Sequence, residues 1–286
     1  MYRQLTFMLK SIVNYFLFSS LYIAFCAVAM VYQVQLLFPQ AIIPGIFYVF
    51  VFFSTICSYN FHWWLTRHAV NGTERLHWAL QHKGLHLVLY FVGLLGAAAS
   101  FWQLRQHWFW IAFGAFVTFL YSAPKIPQKI FIGLRRIAIG KTIFLAFVWM
   151  YVTTALPLLV AGGQWQASFT WLACSRFFLI YAICILFDYR DREDDKADGI
   201  RSMITWFNEP GINLLFILSL VLFALFTVAL GSTGTPFAIT CILLVPGIVA
   251  AALYKYAKRN FSDYLYYFVL DGLMMLSALI MIVLYI

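Results

Sequence analysis

A cluster of carboxylates stands at the end of a long apolar run. Six of the ten acidic residues of the chain lie between positions 188 and 198, directly after the apolar run 177–187. If the helix of that run continues, Asp188, Asp191 and Asp195 recur at i, i+3 and i+7 and share one face. Three stacked carboxylates repel one another unless a cation lies among them. Their hard oxygen atoms suit Mg²⁺, which completes its coordination with water and substrate phosphate.

The same stretch has a simpler interpretation, a solvated helix whose charges pair within one turn. The available partners are Arg190, Arg192, Lys196 and Arg201. Asp188 argues against this interpretation because it directly follows the apolar run, where an ionisable group is costly and usually functional. We therefore favour a site for a metal-bound phosphate or diphosphate at a membrane surface.

The composition places these carboxylates in an integral membrane protein. The chain has 286 residues, of which 64% are hydrophobic and only 10% are charged, against about 25% charged in soluble domains. This length suits one membrane domain that covers residues 1–286. The first apolar run, 12–37, is too long for a cleavable signal peptide. The five cysteines are scattered and have no C-x-x-C pairing, so neither zinc ligands nor disulfides are expected.

The apolar runs predict an all-α protein with nine transmembrane helices around a central cavity. Each run has about the 20 residues that a bilayer core requires, and Gly, Pro or polar clusters separate the runs. The predicted spans are 12–36, 41–65, 84–101, 107–122, 138–160, 168–188, 211–230, 236–254 and 264–286.

The basic residues predict the orientation of these spans. Of 19 Lys and Arg residues, all but Arg105 and Arg176 fall on one side when the spans alternate. By the positive-inside rule the N-terminus is cytoplasmic, and the acidic stretch faces the cytoplasm. We expect a multi-pass protein of the cell membrane with its active site toward the cytoplasm. The net charge of +9 then reflects topology and contact with anionic lipid, and no nucleic-acid partner is expected.

Two further basic positions could neutralise a phosphate near the acidic stretch. Tyr121 ends the fourth predicted span, Pro124 stops its helix, and Lys125 offers a point positive charge as phosphate-binding lysines do. Lys141 lies at or inside the fifth span, from where it can snorkel or reach a diphosphate. An ordinary positive-inside lysine is the alternative for Lys125.

These features together resemble the UbiA superfamily of intramembrane prenyltransferases. The resemblance is carried by nine spans, by Y-x-x-x-K at Tyr121–Lys125, and by D-x-x-D-x-x-x-D followed by D-G-I-R up to Arg201. It implies a helical fold whose cavity opens to the bilayer, with Mg²⁺ bound around an isoprenoid diphosphate. The implied reaction moves the prenyl group to a lipophilic acceptor. Carried over, the roles are metal binding by Asp188, Asp191 and Asp195, catalysis by the same aspartates with Tyr121 and Lys125, and substrate binding by Lys141 and Arg201.

The second predicted span departs from this family. The first family motif, N-D-x-x-D-x-x-x-D, would close that span, and only its asparagine remains as Asn60. Its three aspartates are replaced by Phe61, Trp64 and His68. Phe and Trp cannot bind Mg²⁺, and a neutral His is a poor ligand for it. One half of a two-metal site is therefore expected to be missing or rebuilt.

A rebuilt site would need other groups to bind the phosphate. Asn60 and His62 can donate hydrogen bonds, and Arg67 or Arg75 can supply positive charge where the first metal would lie. The alternative is an interfacial belt of aromatic and basic side chains. Asp271 falls within the ninth predicted span, where a charge needs a partner or a wet cavity, which makes it a candidate cavity residue.

Three rival functions stay open at this stage. A UbiA-type terpene cyclase also ionises an allylic diphosphate but needs no acceptor. A non-catalytic isoprenoid-lipid binding protein would have lost catalysis with the first motif. CDP-alcohol phosphatidyltransferases also stack aspartates, but D-G-I-R does not continue with their pattern. The abundant aromatic residues, 30 Phe, 17 Tyr and 10 Trp, are expected to line an isoprenoid cavity.

Overall fold

The fold is all-helical throughout the residues that the structure describes. This computed structural model describes residues 2–66, 73–122, 141–197 and 203–285, without the side chains of 2–7, 122, 141, 194, 195, 197, 203 and 285. Every regular element within those ranges is a helix. The predicted class, an all-α membrane protein, is confirmed.

The described part of the chain forms fourteen α-helices, numbered here in chain order. They are α1 (Tyr2–Phe18), α2 (Leu21–Leu37), α3 (Gly45–Leu65), α4 (Glu74–Gln81), α5 (Lys83–Gln103), α6 (Trp108–Ser122), α7 (Lys141–Met150), α8 (Leu156–Ala161), α9 (Ala167–Arg190), α10 (Arg192–Ala197), α11 (Met203–Trp206), α12 (Glu209–Gly231), α13 (Phe237–Ala257) and α14 (Asp271–Tyr285). Two π-helical segments, Tyr151–Ala155 and Leu265–Leu270, join α7 to α8 and lead into α14.

Seven helical stretches of the described chain are long and apolar enough to span a bilayer, and an eighth results if α1 and α2 form one bent span. The fourth predicted span, 107–122, appears as α6 with 15 residues, fewer than the roughly 20 that a bilayer core requires. A multi-span protein is thus supported, whereas the number nine stays a prediction.

The first predicted span, 12–36, contains a break between α1 and α2, which together pass as one bent span. The chain bends by 56° between α1 and α2, where Ser20 takes a left-handed backbone conformation with φ 71°. The amide nitrogen of Asn60 donates to the carbonyl of Ser19, at 3.1 Å, and so fixes the break from α3. A hydropathy pattern does not detect this break because Ser19 and Ser20 are flanked by apolar residues on both sides.

Helix α9 lies at the centre of the bundle and is the most buried of the candidate spans. It is hydrophobic all round, which is typical of a helix with protein on every side. Around it, glycines allow close approach of neighbouring helices. A side chain at Gly93 would meet the backbone of Cys57 at 2.5 Å, and one at Gly247 would meet the ring of Phe223 at 2.2 Å.

A buried arginine joins four elements at about the middle of α9. Arg176 donates to the Thr153 carbonyl at 2.8 Å and to the Thr154 hydroxyl at 2.9 Å, both within the first π-helical segment. It also donates to the Met30 carbonyl and the Gln33 amide oxygen of α2, at 2.7 and 2.8 Å. Gln33 in turn donates to Ser277 of α14 at 3.0 Å. All four acceptors of Arg176 are neutral.

Candidate active site

The acidic stretch begins at the end of the central helix, but the helix does not continue through it. Helix α9 ends at Arg190, Asp191 caps it with φ −84° and ψ 3°, and α10 begins at Arg192. The prediction of one continuous helix from Asp188 to Asp195 is therefore wrong. The Asp191 N–H still donates to the Phe187 carbonyl, at 3.0 Å, so Asp188 and Asp191 remain on successive turns. The side chain of Asp195 lies outside the described part of the chain.

Asp188 is held inside the bundle. Only 7% of the residue is exposed, and the hydroxyl of Thr142, at the start of α7, donates to its Oδ2. Thr142 follows Lys141 directly, so α7 brings the region of that predicted substrate-binding lysine to the acidic end of α9. Burying a carboxylate costs free energy even when it accepts a hydrogen bond. An ionisable group inside a membrane segment is therefore usually functional.

Asp191 lies at the border between the bundle and its surface. Its side chain is 40% exposed, and its Oδ1 pairs with the Nε of Arg190 at 2.8 Å. The Arg190 side chain is itself only 6% exposed. It donates through Nη2 to the Tyr267 hydroxyl at 2.8 Å, and its Nη1 lies 3.6 Å from the Oδ1 of Asp263.

Two residues predicted from different helices are brought together by ring stacking. The rings of His62, near the end of α3, and Tyr121, near the end of α6, are 5.5 Å apart with an interplanar angle of 18°. Both lie at the helix ends that carry the predicted site. Three other predicted residues, Arg67, Lys125 and Arg201, lie outside the described ranges, as does the side chain of Lys141.

Asn60 forms hydrogen bonds within the protein. It is fully buried, and its amide nitrogen donates to the carbonyls of Ser19 at 3.1 Å and Ile56 at 2.8 Å. Its oxygen lies 2.6 Å from Nδ1 of the buried His86 on α5. Asn60 would have to give up these bonds before it could donate to a phosphate.

The positions of the missing aspartates carry stacked rings. Phe61 lies 6.4 Å from Trp64 and 5.3 Å from Tyr90 of α5, centroid to centroid. Trp64 is 39% exposed. The run 60–68 contains no carboxylate, and the described residues hold no group of three His, Cys, Asp or Glu that could bind a metal. The first metal site of the family therefore does not fit this end.

An aromatic cluster, formed by Trp63, Phe187 and Tyr267, lies between the ends of α3 and α9. The rings of Trp63 and Phe187 lie 6.3 and 5.7 Å from the ring of Tyr267, and all three residues are half-buried. Tyr59 adds a hydroxyl that accepts from Nε1 of Trp149, at 3.1 Å. These ring contacts pack α3, α9 and the last span against one another at this level of the bundle.

The last span also carries a charged group, the carboxylate of Asp271. Asp271 is half-buried within the last span, and its carboxylate lies within electrostatic reach of Arg75 and Arg190. Its position inside an apolar run was the signal that marked it from the sequence. Arg190, Thr142 and Tyr267 were missed, because nothing in their local sequence distinguishes them from interfacial or core residues.

The donor chemistry at the acidic end of α9 fits one hard cation. Asp188 and Asp191 present carboxylate oxygens on successive turns, and oxygen is the ligand type that Mg²⁺ prefers. Structural zinc sites, by contrast, draw mainly on sulfur and imidazole ligands. The two helix ends thus differ in their side chains, with carboxylates at the end of α9 and no carboxylate in the run 60–68 at the end of α3.

The comparison with protein families agrees with this architecture. The sequence model of the UbiA prenyltransferase family matches residues 78–279, which is well over half of the chain, and the chain belongs to this family. The match begins after the run 60–68, in which the first motif would lie. No curated protein and no solved structure matches the chain. Family membership supports intramembrane prenyl transfer in general, and UbiA proteins generally use Mg²⁺-bound diphosphate substrates.

Proposed function

We propose that this protein transfers a prenyl group from an isoprenoid diphosphate to a lipophilic acceptor within the membrane, in a reaction that requires Mg²⁺. The observation that carries the proposal is the pair Asp188 and Asp191 at the end of the central helix, near the aromatic cluster, which in this proposal borders a chamber for the prenyl chain. A buried carboxylate at the end of a transmembrane helix is costly unless it binds something. Membership of the UbiA family supplies the chemistry that fits it.

In this proposal Asp188, Asp191 and Asp195 hold one Mg²⁺. When bound, the metal supplies positive charge to the diphosphate as it leaves. Lys125, Lys141, Arg67 and Arg201 provide further positive charge. The bond between the prenyl carbon and the diphosphate oxygen breaks, and the diphosphate takes the electron pair. Electrostatic stabilisation of that leaving group is expected to contribute most of the rate enhancement.

The chamber has two roles toward the prenyl group. Aromatic π faces such as that of Tyr59, which no described guanidinium covers, stabilise the positive charge that develops on the allylic carbons. The apolar walls exclude water, so that the acceptor and not water forms the new bond. Tyr121, stacked on His62, contributes an aromatic ring at the end of the site that the helix ends carry.

The orientation completes the proposal. Nine spans that form one domain over residues 1–286 would place the N-terminus and the acidic end of α9 on the cytoplasmic side of the cell membrane. The basic residues of the even-numbered connections then meet the anionic leaflet. The diphosphate would enter from the cytoplasm and its lipid chain from the bilayer.

Asp271 gives specific support to a second function, a terpene cyclase. A cyclase ends its reaction by loss of a proton from a carbocation, and Asp271 is a carboxylate near the aromatic cluster that could accept it. In that case the enzyme would need no acceptor.

One assay separates these functions. Purified full-length protein in detergent is given farnesyl or geranylgeranyl diphosphate with Mg²⁺, with and without a lipid extract as the source of acceptor. Diphosphate release that requires the extract, together with a prenylated lipid product, supports the transferase. A hydrocarbon formed without the extract supports the cyclase. Tight binding of the diphosphate lipid without release, in any divalent metal, rejects both and supports a binding protein.

A further inference from the structure

The most unusual side chain beside the aromatic cluster is a buried arginine of α4. Arg75 is only 3% exposed. The central carbon of its guanidinium lies 4.4 Å from the ring centroid of Trp63 and 3.9 Å from that of Tyr267. Both rings belong to the aromatic cluster, so the guanidinium packs against this cluster.

This guanidinium has donors that nothing in the described protein satisfies. The Nε and Nη2 atoms of Arg75 are buried without a hydrogen-bond partner, and none of the described carboxylates forms an ion pair with them. A buried donor without a partner costs about 1–3 kcal/mol, and more when it is charged. Such groups in native proteins require an explanation, and a ligand that is bound during function is one.

Neither of the two nearby carboxylates forms an ion pair with the Arg75 guanidinium among the described residues. Oδ2 of Asp263 accepts from the backbone N–H of Arg75, at 2.7 Å, and not from its guanidinium. Oδ1 of Asp263 faces Arg190 at 3.6 Å. Asp271 lies within electrostatic reach of Arg75 but forms no ion pair with it among the described residues. Burial lowers the pKa of Arg75, while Tyr267 and Asp271 oppose that shift, and an arginine keeps its charge in proteins.

The location of Arg75 corresponds to the altered end of α3. Trp63 belongs to the run 60–68, where the family would carry its first aspartates, and this run has none. A guanidinium presents positive charge and a planar fork of donors that matches phosphate oxygens. It can therefore supply, as part of the protein, what a metal ion would supply there.

We infer that Arg75 binds the diphosphate directly, on the side of the site where the first metal of the family would lie. This inference rests on the proposed function and makes it more specific. The substrate diphosphate is bound by a guanidinium on one side and by a metal at the end of α9 on the other. The site then needs one divalent cation, and part of its affinity for the anion is independent of metal.

The first test measures anion binding without metal. Equilibrium dialysis of radiolabelled inorganic pyrophosphate against the full-length protein in detergent with EDTA should show saturable binding. Arg75→Gln should weaken this binding about tenfold or more, because it removes a charge-assisted bidentate contact, and Arg75→Lys should weaken it less. Arg105→Gln is the matched control, since Arg105 is exposed and donates to the Trp102 carbonyl at 2.9 Å. Absence of metal-free binding, or equal loss in both Gln variants, overturns the inference.

The second test uses the unaltered protein, so it holds even if Arg75 variants fail to fold. Mn²⁺ is titrated in the presence of saturating farnesyl or geranylgeranyl thiodiphosphate, and free Mn²⁺ is counted by electron paramagnetic resonance. One Mn²⁺ per bound thiodiphosphate is expected. Two would show that the first metal site exists, which overturns the inference.

The two proposals fail in different ways. Prenyl transfer with two bound Mn²⁺ and no metal-free binding of pyrophosphate rejects the role of Arg75 and leaves the transferase. Metal-free binding that depends on Arg75, without any turnover of farnesyl or geranylgeranyl diphosphate, rejects the transferase and leaves the anion site.

Discussion

The ends of α3 and α9 occupy corresponding places in the predicted site but carry different side chains, neutral polar and aromatic ones at α3 and carboxylates at α9. At the end of α9, Asp188 is buried under Thr142 and Asp191 pairs with Arg190 at the surface. At the end of α3, Asn60 is bonded within the protein and Phe61 stacks on Trp64. One end carries carboxylates, whereas the other has Arg75 beside it. Under the proposed function, the difference means that a buried arginine takes the place of the metal ion whose ligands are lost.

The largest effect is expected from removal of a carboxylate at the end of α9. Asp191→Ala should lower Mg²⁺-dependent turnover of farnesyl or geranylgeranyl diphosphate by about 10²–10³-fold, because transition-state charge loses its preorganised partner. Diphosphate release by the purified variant measures this. Glu193→Gln is the control, since Glu193 is exposed and pairs with Lys196 at 2.9 Å. Equal rates for wild type and Asp191→Ala would remove the catalytic role of this end.

The next effect concerns stability at the end of α3. Asn60→Ala should lower the free energy of unfolding by about 2–3 kcal/mol, because it leaves the buried His86 and the Ser19 carbonyl unpaired. Thermal unfolding in detergent measures this, with Ser58→Ala on the same helix as the control.

This variant also distinguishes a structural Asn60 from a substrate-binding one. If Asn60 is structural, the folded variant binds inorganic pyrophosphate as the wild type does. Unchanged thermal stability together with weaker pyrophosphate binding would instead assign Asn60 to the substrate.

A smaller effect is expected at the stacked pair of His62, near the end of α3, and Tyr121, near the end of α6. Tyr121→Ala removes the stack and should lower kcat by up to about tenfold, the range in which aromatic pairs contribute. Tyr121→Phe keeps the stack and should change kcat by less than about threefold by the same argument. If both variants lose activity equally, the hydroxyl and not the stack is what matters.

The smallest effect is expected from the rings that replaced the first aspartates. Trp64→Ala should change turnover and pyrophosphate affinity by less than about twofold, because Trp64 is partly exposed and substitutions away from buried features are usually within about 0.5 kcal/mol. The matched comparison is Trp63→Ala, which removes a ring that packs against the Arg75 guanidinium. A large loss in Trp64→Ala would show that the altered run itself contacts substrate.

The sequence predicted the class and the acidic end of α9 because both depend on composition and local order. Hydropathy alone identifies apolar helices, and the carboxylates after residue 187 are conspicuous in a chain with so few charges. The break at Ser20 was missed because it depends on Asn60, 40 positions away. The interruption at Asp191 was missed because helical spacing does not reveal that a side chain pairs with its neighbour Arg190.

The altered end of α3 was only half predictable. The absence of aspartates there is visible in the sequence, and the expectation that one half of a two-metal site is missing or rebuilt stays a prediction. Which basic residue would compensate was left open between Arg67 and Arg75. Only the tertiary structure places Arg75 on the rings of Trp63 and Tyr267, since α4 has to fold back against α3 and the last span.

Under the proposed function, the hydrogen bonds of Arg176 bear on how a long isoprenoid chain enters the helix bundle. It lies 12 residues before Asp188, which is about 18 Å along a helix, and its bonds to α2, the first π-helical segment and, through Gln33, α14 tie these elements together. Four neutral acceptors surround it, so the bonds cannot be exchanged for water inside a bilayer without great cost. The elements that these hydrogen bonds join are therefore expected to keep their relative positions. Under the proposed function, helices that separate to admit an isoprenoid tail should therefore do so at their other ends, near Asp188 and Asp191.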